Sequence, residues 1–239
     1  MKTYAKTDIG NKRKMNQDFF YCSNHNVGSF QNLFIVADGM GGHKAGDHAS
    51  RLCVESIVNS IKASRRNTPV TVLNEAVLSA NEAVYNEANN NSAYEGMGTT
   101  VVACTLYENK LYIANIGDSR LYIINDDISQ ITKDHSLVEE MVKNGNITES
   151  EARIHPQKNI ITRALGIDLQ VHADYFEIDV KSSDIVLMCT DGLTNMIEDD
   201  DIEYIVKHSN SLEKAVDALI AKANENGGND NITVILAEI

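Results

Sequence analysis

A run of short apolar segments separated by tight turns is the feature that most constrains how this chain can fold. Between residues 99 and 131 the sequence reads TTVVACTLYE, LYIANI, RLYIIN and ISQI, and the turns Asn109-Lys110 and Gly117-Asp118-Ser119 separate the first three segments. Connections this short join antiparallel strands, because a parallel pair needs a crossover of about a dozen or more residues. The run therefore predicts an antiparallel meander rather than a series of βαβ units.

Apolar residues at helical spacing predict two helices before this meander and two after it. The first pair covers roughly residues 49–61 and 68–88, where Thr68 is the expected cap and Pro69 suits the first helical position. The second pair is expected near 199–207 and after a cap at Ser211. Further strands are predicted at 2–7, 18–23, 33–37, 171–179, 184–190 and 231–239, and a short helix at 137–142. Grouped strands with amphipathic helices predict antiparallel sheets covered by helices, an α+β fold.

Composition limits the size and the partners of this fold. The chain has 239 residues, 43% of them hydrophobic, with only two prolines and no linker-like tract, so we expect a single domain over 1–239. With 21 Lys and Arg against 34 Asp and Glu the net charge is −13, which argues against partners such as nucleic acid or an anionic membrane. No apolar run approaches the roughly 18 residues of a membrane span, and the start lacks a signal-peptide segment. We therefore expect a cytoplasmic protein.

The four cysteines, Cys22, Cys53, Cys104 and Cys189, are far apart in the chain and form no C-x-x-C pair. This usage is typical of reduced, buried thiols. None of the four is followed six residues later by the arginine that a cysteine-dependent phosphatase needs, so that chemistry is excluded.

The stretch 36-VADGMGGHKAG-46 combines a strand-like run with an aspartate and four glycines. A phosphate-binding P-loop is excluded, because Asp47 and His48 follow Gly46 where Lys and a hydroxyl residue are required. A dinucleotide fingerprint is also excluded, because its third glycine position, counted from Gly39, is Lys44. A plain turn and a metal site remain as interpretations, since Asp-Gly is among the commonest turn dipeptides.

Four aspartates lie beside or close to glycines at the ends of predicted strands. Asp38 and Asp191 end strands, Asp118 lies in a hairpin turn, and Asp230 opens the last strand. If the four converge, their charges repel one another without cations, and ligands that are all oxygen favour Mg²⁺ or Mn²⁺ over zinc. Each Asp-Gly or Gly-Asp pair taken singly is more often a plain turn, so metal binding and turn formation both remain open at this point.

Seven motifs, taken in order, resemble those of one enzyme family. They are 7-TDIGNKRKMNQD-18, 36-VADGMGGHKAG-46, 98-GTTVVAC-104, 115-NIGDSR-120, 155-HPQKNIITRALG-166, 188-MCTDGL-193 and 229-NDNITV-234. Together they resemble the metal-dependent protein serine/threonine phosphatases of type 2C, the PPM family, and most of all its compact bacterial branch. The resemblance implies an α-β-β-α fold, in which two antiparallel sheets pack face to face as a β-sandwich flanked by pairs of α-helices. It also implies a small variable flap at about 144–160.

The resemblance implies a set of metal ligands for Mn²⁺ or Mg²⁺. Asp38 would bridge two ions, the carbonyl of Gly39 would join the second ion, and Asp191 and Asp230 would complete the first. Asp118, together with Asp191, would hold a third and weaker ion.

The resemblance also implies roles for Asp18 and Arg13, and the chain departs from the animal-type pattern at two positions. Asp18 would act on the ions through water, and Arg13 would bind the substrate phosphate, for which its forked guanidinium is well suited. The glutamate that animal-type members have near the second ion is Gln17 here, and the histidine that follows Asp-Gly is Met40. His43 is then the candidate general acid, and metal-bound water is the alternative.

The activity implied by the resemblance is hydrolysis of phosphoserine and phosphothreonine in phosphorylated proteins. A hydroxide shared by two ions would attack phosphorus without a covalent intermediate. Such a monomer would act in signalling, opposite a Hanks-type Ser/Thr kinase. The alternatives are a phosphatase specialised for one regulator, such as an anti-sigma antagonist, a silent phosphoprotein-binding protein of the same fold, and an acidic cation-binding domain. The presence of all four aspartates and Arg13 argues against the silent protein.

Overall fold

Two antiparallel sheets form the centre of the structure, a computed structural model that describes residues 1–42 and 45–239. The strands are β1 (Lys2–Asp8), β2 (Asp18–Ser23), β3 (Leu33–Met40), β4 (Gly98–Thr99), β5 (Val101–Tyr107), β6 (Lys110–Ile116), β7 (Arg120–Ile124), β8 (Ile128–Gln130), β9 (Asp174–Asp179), β10 (Ile185–Cys189) and β11 (Ile232–Glu238). The first sheet has the order β1-β11-β10-β7-β8. The second has the order β2-β3-β5-β6-β9, and β4 pairs with β3.

Helices cover the outer face of each sheet. The helices of the described residues are α1 (Ala45–Ala63), α2 (Pro69–Asn90), α3 (Leu137–Lys143), α4 (Glu149–Ile154), α5 (Asp191–Thr194), α6 (Asp199–His208) and α7 (Leu212–Glu225). Helices α1 and α2 pack on the second sheet, and α5 to α7 pack on the first. As predicted, Pro69 stands at the start of α2, and the Ser211 side chain caps α7 by accepting from the backbone N–H of Lys214. Thr68 makes no such side-chain bond.

The alternation of side chains along the strands divides the buried apolar side chains into three clusters, one between the sheets and one under the helices on each side. In β3, Phe34 and Val36 point between the two sheets, whereas Ile35 and Ala37 point to α1 and α2. This period of two is what a strand buried on both faces requires. The layers are thus helices, sheet, sheet and helices, and the predicted α+β sandwich flanked by helix pairs is confirmed.

Some predicted strands have different limits in the structure, and one helix was not predicted. The predicted strand at 171–179 begins only at Asp174, because its ladder with β6 starts there, opposite Asn115. The predicted strand at 99–108 is interrupted at Thr100. Helix α4 was not predicted, since no residue of it is buried and apolar periodicity is therefore missing. Its capping box, Thr148 with Glu151, was the available signal.

The strand ends that carry the predicted site lie at one edge of each sheet. Asp118 precedes β7, Asp191 follows β10 and Asp230 precedes β11, and these antiparallel neighbours share that edge. In the second sheet Asp18 opens β2 directly opposite Asp38, near the end of β3. Among residues 1–42 and 45–239, no helix combines the length and apolar character needed to cross a bilayer.

Candidate metal centre

Asp18 and Asp38 are paired across neighbouring strands of the second sheet, and Asp18 connects that sheet to the first. The hydroxyls of Thr190 and Thr233, from the first sheet, donate to Asp18 Oδ2 at 2.8 and 2.7 Å. The Asp38 backbone is held by Thr100, whose Oγ1 accepts from the Asp38 N–H at 3.0 Å and whose N–H donates to the Asp38 carbonyl at 2.9 Å. The sheets therefore meet at the edge where these two carboxylates lie.

Asp191 and Asp118 reach the same place from loops of the first sheet. Asp191 begins α5, and its Oδ2 accepts from Asn195 Nδ2 at 2.8 Å. The charge of Asp191 raises the pKa of Asp38, so the two carboxyl groups lie close together. Asp118 lies in the turn between β6 and β7, directly after Gly117. Gly117 has a φ of +102°, a conformation that residues other than glycine rarely adopt. The tight turn thus places Asp118 beside Asp191.

Asp230 lies next to the other carboxylates and is paired with Arg13. Its Oδ2 accepts from Arg13 Nη2 at 2.6 Å, and its Oδ1 accepts from the N–H of Asn231 at 2.8 Å. The loop of Arg13 is held by Asn11, whose Nδ2 donates to the carbonyl of Asn224 at 2.7 Å. The hydrogen bond to Asp230 raises the pKa of Arg13, whose side chain is 49% exposed. A predicted phosphate ligand and a predicted metal ligand are therefore in direct contact.

Asp18, Asp38, Asp118, Asp191 and Asp230, here called the acidic cluster, repel one another through low-dielectric protein. Burial first, and then the charges of the other members, raise the pKa of Asp38 well above its usual range. Burial raises the pKa of Asp18 to about 7, against two hydroxyl hydrogen bonds that lower it. Burial and then the charge of Asp230 raise the pKa of Asp191 to about 6. Burial and the charge of Asp191 raise the pKa of Asp118. The positive charges beside the cluster therefore compensate its negative charge only in part.

The acidic cluster has the donor chemistry of a divalent-cation site. Asp18 Oδ1 and Asp191 Oδ1 are buried and have no hydrogen-bond donor. Such oxygens are costly unless a cation or proton compensates them. Yet no three His, Cys, Asp or Glu side chains of the described residues are arranged to hold an ion as they stand. The charge imbalance nevertheless favours cations, because both oxygens of Asp230 are occupied by protein donors that a cation can replace.

Gly39 lies inside β3, so the interpretation of Asp38-Gly39 as a plain turn is wrong. Gly39 and Met40 pair with β4, which extends the predicted strand 33–37 to Met40. A Cβ atom on Gly39 would lie 1.9 Å from the Gly46 carbonyl oxygen and 2.8 Å from that of Gln17. The glycine is therefore required by close backbone approach, and the chain turns only after Met40.

Substitution of Gly39 by alanine is expected to destabilise the protein by roughly 3 kcal/mol, at the upper end for overpacking, since the clash is with backbone. Chemical denaturation measures this change in the free energy of unfolding. The matched control is Gly42→Ala, because a Cβ on Gly42 meets nothing within 4 Å. Equal stability of the two variants would contradict the close packing around Gly39.

Arg120 and Asp134 form an ion pair beside the acidic cluster that the sequence did not reveal. Arg120 Nε donates to Asp134 Oδ1 at 2.9 Å, Nη2 donates to Oδ2 at 2.7 Å, and Nη1 donates to Tyr122 Oη at 2.9 Å. The Arg120 charge partly offsets the burial that raises the pKa of Asp118 and of Asp191. The signal was an arginine two residues after Asp118, but no spacing rule identifies its partner.

The remaining predicted residues have different outcomes. His43, the candidate general acid, lies outside the described residues. Gln17 lies beside α1, where a Cβ on Gly46 would be 2.4 Å from its Nε2. The predicted reduced cysteines are free thiols, and Cys22 is the member of the four that is not buried. The predicted flap segment at about 144–160 contains α4 and is mostly exposed.

Comparison with known proteins identifies the family. The family model described as protein phosphatase 2C matches residues 10–237. The chain is 40% identical over 248 residues to the serine/threonine phosphatase stp of Listeria innocua, covering 100% of this chain and 96% of the relative.

Solved structures agree with this match. The serine/threonine phosphatase PstP/Ppp of Mycobacterium tuberculosis superimposes with a TM-score of 0.91 at 33% identity, covering 100% of this chain and 98% of that one. The catalytic domain of PstP in complex with two manganese ions has a TM-score of 0.88 at 32% identity, covering 99% and 97%. The chain therefore belongs to the protein phosphatase 2C family, the metal-dependent protein serine/threonine phosphatases, and is an enzyme of that class.

Proposed function

We propose that this protein hydrolyses phosphoserine and phosphothreonine in phosphorylated proteins with two bound divalent ions, Mn²⁺ or Mg²⁺. The single observation that carries the proposal is the acidic cluster, whose buried Asp18 and Asp191 oxygens have no donor. It is supported by the family membership and by a relative described in complex with two manganese ions. When bound, such ions lower the pKa of coordinated water and neutralise charge on the phosphoryl group.

The residues that would hold the ions are those at the shared sheet edge. Asp38 would bridge the pair, with the Gly39 carbonyl on the second ion and Asp191 and Asp230 on the first. Asp118, with Asp191, would hold a third and weaker ion. This assignment is supported by the mutual effect of the cluster charges on pKa.

Arg13 would bind the substrate phosphate. Its side chain is half exposed and donates to Asp230 through Nη2, so the guanidinium lies between solvent and the acidic cluster. A guanidinium has five N–H donors in a fork that matches phosphate oxygens. Arg13 would thus orient the phosphoryl group and neutralise charge that develops on it. Asp18, held by two threonine hydroxyls, would orient water at the ions.

Direct attack by water, without a covalent intermediate, is supported by the state of the cysteines. Burial raises the pKa of the Cys53, Cys104 and Cys189 thiols, which keeps them protonated and poorly nucleophilic. His43 stays the candidate for protonating the leaving group.

Free cysteines are also typical of a reducing compartment, and on that ground we propose a cytoplasmic protein. We further propose that 1–239 acts as one domain and as a monomer, opposite a Hanks-type Ser/Thr kinase.

The decisive experiment compares a phosphothreonine peptide with a phosphotyrosine peptide of the same sequence in Mn²⁺. We expect phosphothreonine to be cleaved much faster, and excess EDTA to abolish turnover because the acidic cluster cannot act without cations. Circular dichroism in EDTA should still show the folded protein. Full turnover in EDTA would overturn the metal mechanism, and faster phosphotyrosine cleavage would overturn the substrate class. Calorimetric Mn²⁺ binding without any hydrolysis would favour the silent binding protein or the cation-binding domain.

A further inference from the structure

A groove of about 720 Å³ begins at Met40, and we call it the Met40 groove. Its apolar lining comes from Met40, Ile161, Ile167 and Val171, and Arg163 and Asp174 add charged groups. Ile167 is 48% exposed, so its side chain adds apolar surface that solvent can reach. An apolar surface is therefore open to solvent in this groove.

Strand β3 connects the groove with the acidic cluster. Met40 lies two residues after Asp38 in the same strand. A strand advances about 3.3 Å per residue, so the groove begins roughly 7 Å from Asp38 along the chain. An extended substrate segment with its phosphorylated residue at Asp38 advances at the same rate. A segment that runs alongside β3 would therefore place its side chain two or three residues away at the groove.

Negative charge is in excess in the Met40 groove. Arg163 Nη1 donates to Asp174 Oδ1 at 2.9 Å, and the other Asp174 oxygen lies 3.1 Å from Nε2 of His135. The Arg163 charge is thus compensated within the groove. Asp168 also lines it, so one cation faces two anions. The surface favours an apolar side chain and disfavours an acidic one.

We propose that the Met40 groove binds an apolar side chain of the substrate, two or three residues from the phosphorylated serine or threonine. This inference rests on the proposed function, because it needs a phosphorylated protein segment at the acidic cluster. The groove would select among phosphorylated segments by burying apolar area, which the phosphate-binding groups cannot do.

A peptide series tests the proposal with the unmodified protein. The parent is a phosphothreonine peptide with serine at all flanking positions, and four further peptides carry a single leucine at position −3, −2, +2 or +3. We expect kcat/KM in Mn²⁺ to rise by about tenfold for at least one leucine position, the scale of partial burial of one such side chain. Glutamate at that position should lower kcat/KM below that of the parent.

Substitution in the groove locates the effect. Ile167→Ser should remove most of the leucine preference, and leave kcat/KM for the parent peptide and for p-nitrophenyl phosphate within about twofold, since neither fills the groove. Leu169→Ser is the matched control, because Leu169 lies in the same loop, is 62% exposed and does not line the groove. The control should keep the preference.

Three outcomes would overturn the inference. Equal kcat/KM for all five peptides would overturn the groove and leave the proposed function intact. Equal loss of the leucine preference in both variants would assign it to the loop as a whole. Absence of any phosphothreonine hydrolysis would overturn the proposed function together with the groove. Thermal unfolding of each variant checks folding, and the peptide series with the unmodified protein is decisive even where a variant is unstable.

Discussion

Replacement of Asp38 by asparagine is expected to lower kcat/KM for a phosphothreonine peptide in Mn²⁺ by at least about a thousandfold, or about 4 kcal/mol of transition-state stabilisation. Asp38 is half-buried on β3 beside the other members of the acidic cluster, and burial and the neighbouring charges raise its pKa well above the usual range. Asparagine keeps the shape of the side chain and removes its charge, so the proposed bridge between two ions is lost. Steady-state kinetics over a range of Mn²⁺ concentrations measure the effect.

The matched control for this substitution is Asp126→Asn, in the exposed turn between β7 and β8. It should leave kcat/KM within about twofold, because an exposed carboxylate far from the ions contributes little. In EDTA the Asp38→Asn variant should unfold at the same or a higher temperature than the unmodified protein, since one repelling charge is removed. Retention of a tenth or more of the activity would show that Asp38 is not an essential ligand.

The second large effect is on stability without metal. In EDTA the free energy of unfolding should fall as the pH rises from about 4 to about 7. In the folded protein burial raises the pKa of Asp18 to about 7 and that of Asp191 to about 6, whereas an unfolded chain has aspartate values near 3.9. The folded state binds these protons more tightly, so its stabilisation is complete below pH 4 and is lost as the pH rises through 6 and 7.

Divalent ions should reverse this loss, because they compensate the charges that protons no longer neutralise. At pH 7.5 we expect Mn²⁺ at about 100 times its dissociation constant to stabilise the protein by about 3 kcal/mol, and at pH 5 by much less. Thermal unfolding between pH 4.5 and 8, with Mn²⁺ and with EDTA, measures both effects.

Asp18→Asn should flatten the pH dependence in EDTA, because it removes the group with the pKa of about 7. Asp126→Asn should leave the slope unchanged. A stability in EDTA that is constant or rises between pH 4.5 and 7 would contradict the repulsion within the acidic cluster.

Local patterns predicted most of the secondary structure. The meander between 99 and 131 follows from turn chemistry, and α1, α2, α6 and α7 follow from apolar residues at helical spacing. The exceptions have physical reasons. Helix α4 buries no residue and so leaves no apolar stripe, and β3 extends through Gly39 because a partner strand distant in sequence pairs with it.

The candidate site was likewise predicted in part from local patterns, and in part depends on the tertiary structure. Aspartates at strand ends are visible in the sequence, because glycines and apolar runs mark strand limits locally. Their convergence is not, because it depends on the order of strands within each sheet. The Arg120–Asp134 pair and the Met40 groove were missed because their members lie on different elements and share no motif.

By itself the sequence determined the α+β class, the antiparallel meander and, through ordered motifs, the family, together with the aspartates and Arg13 as candidates. These depend on residue type and on spacing along the chain, which are local. Only the tertiary structure decided that Arg13 contacts Asp230, 217 positions away, and that Thr233 donates to Asp18, 215 positions away. It also decided the raised pKa of the acidic cluster, because burial and repulsion arise only when distant strands bring like charges together.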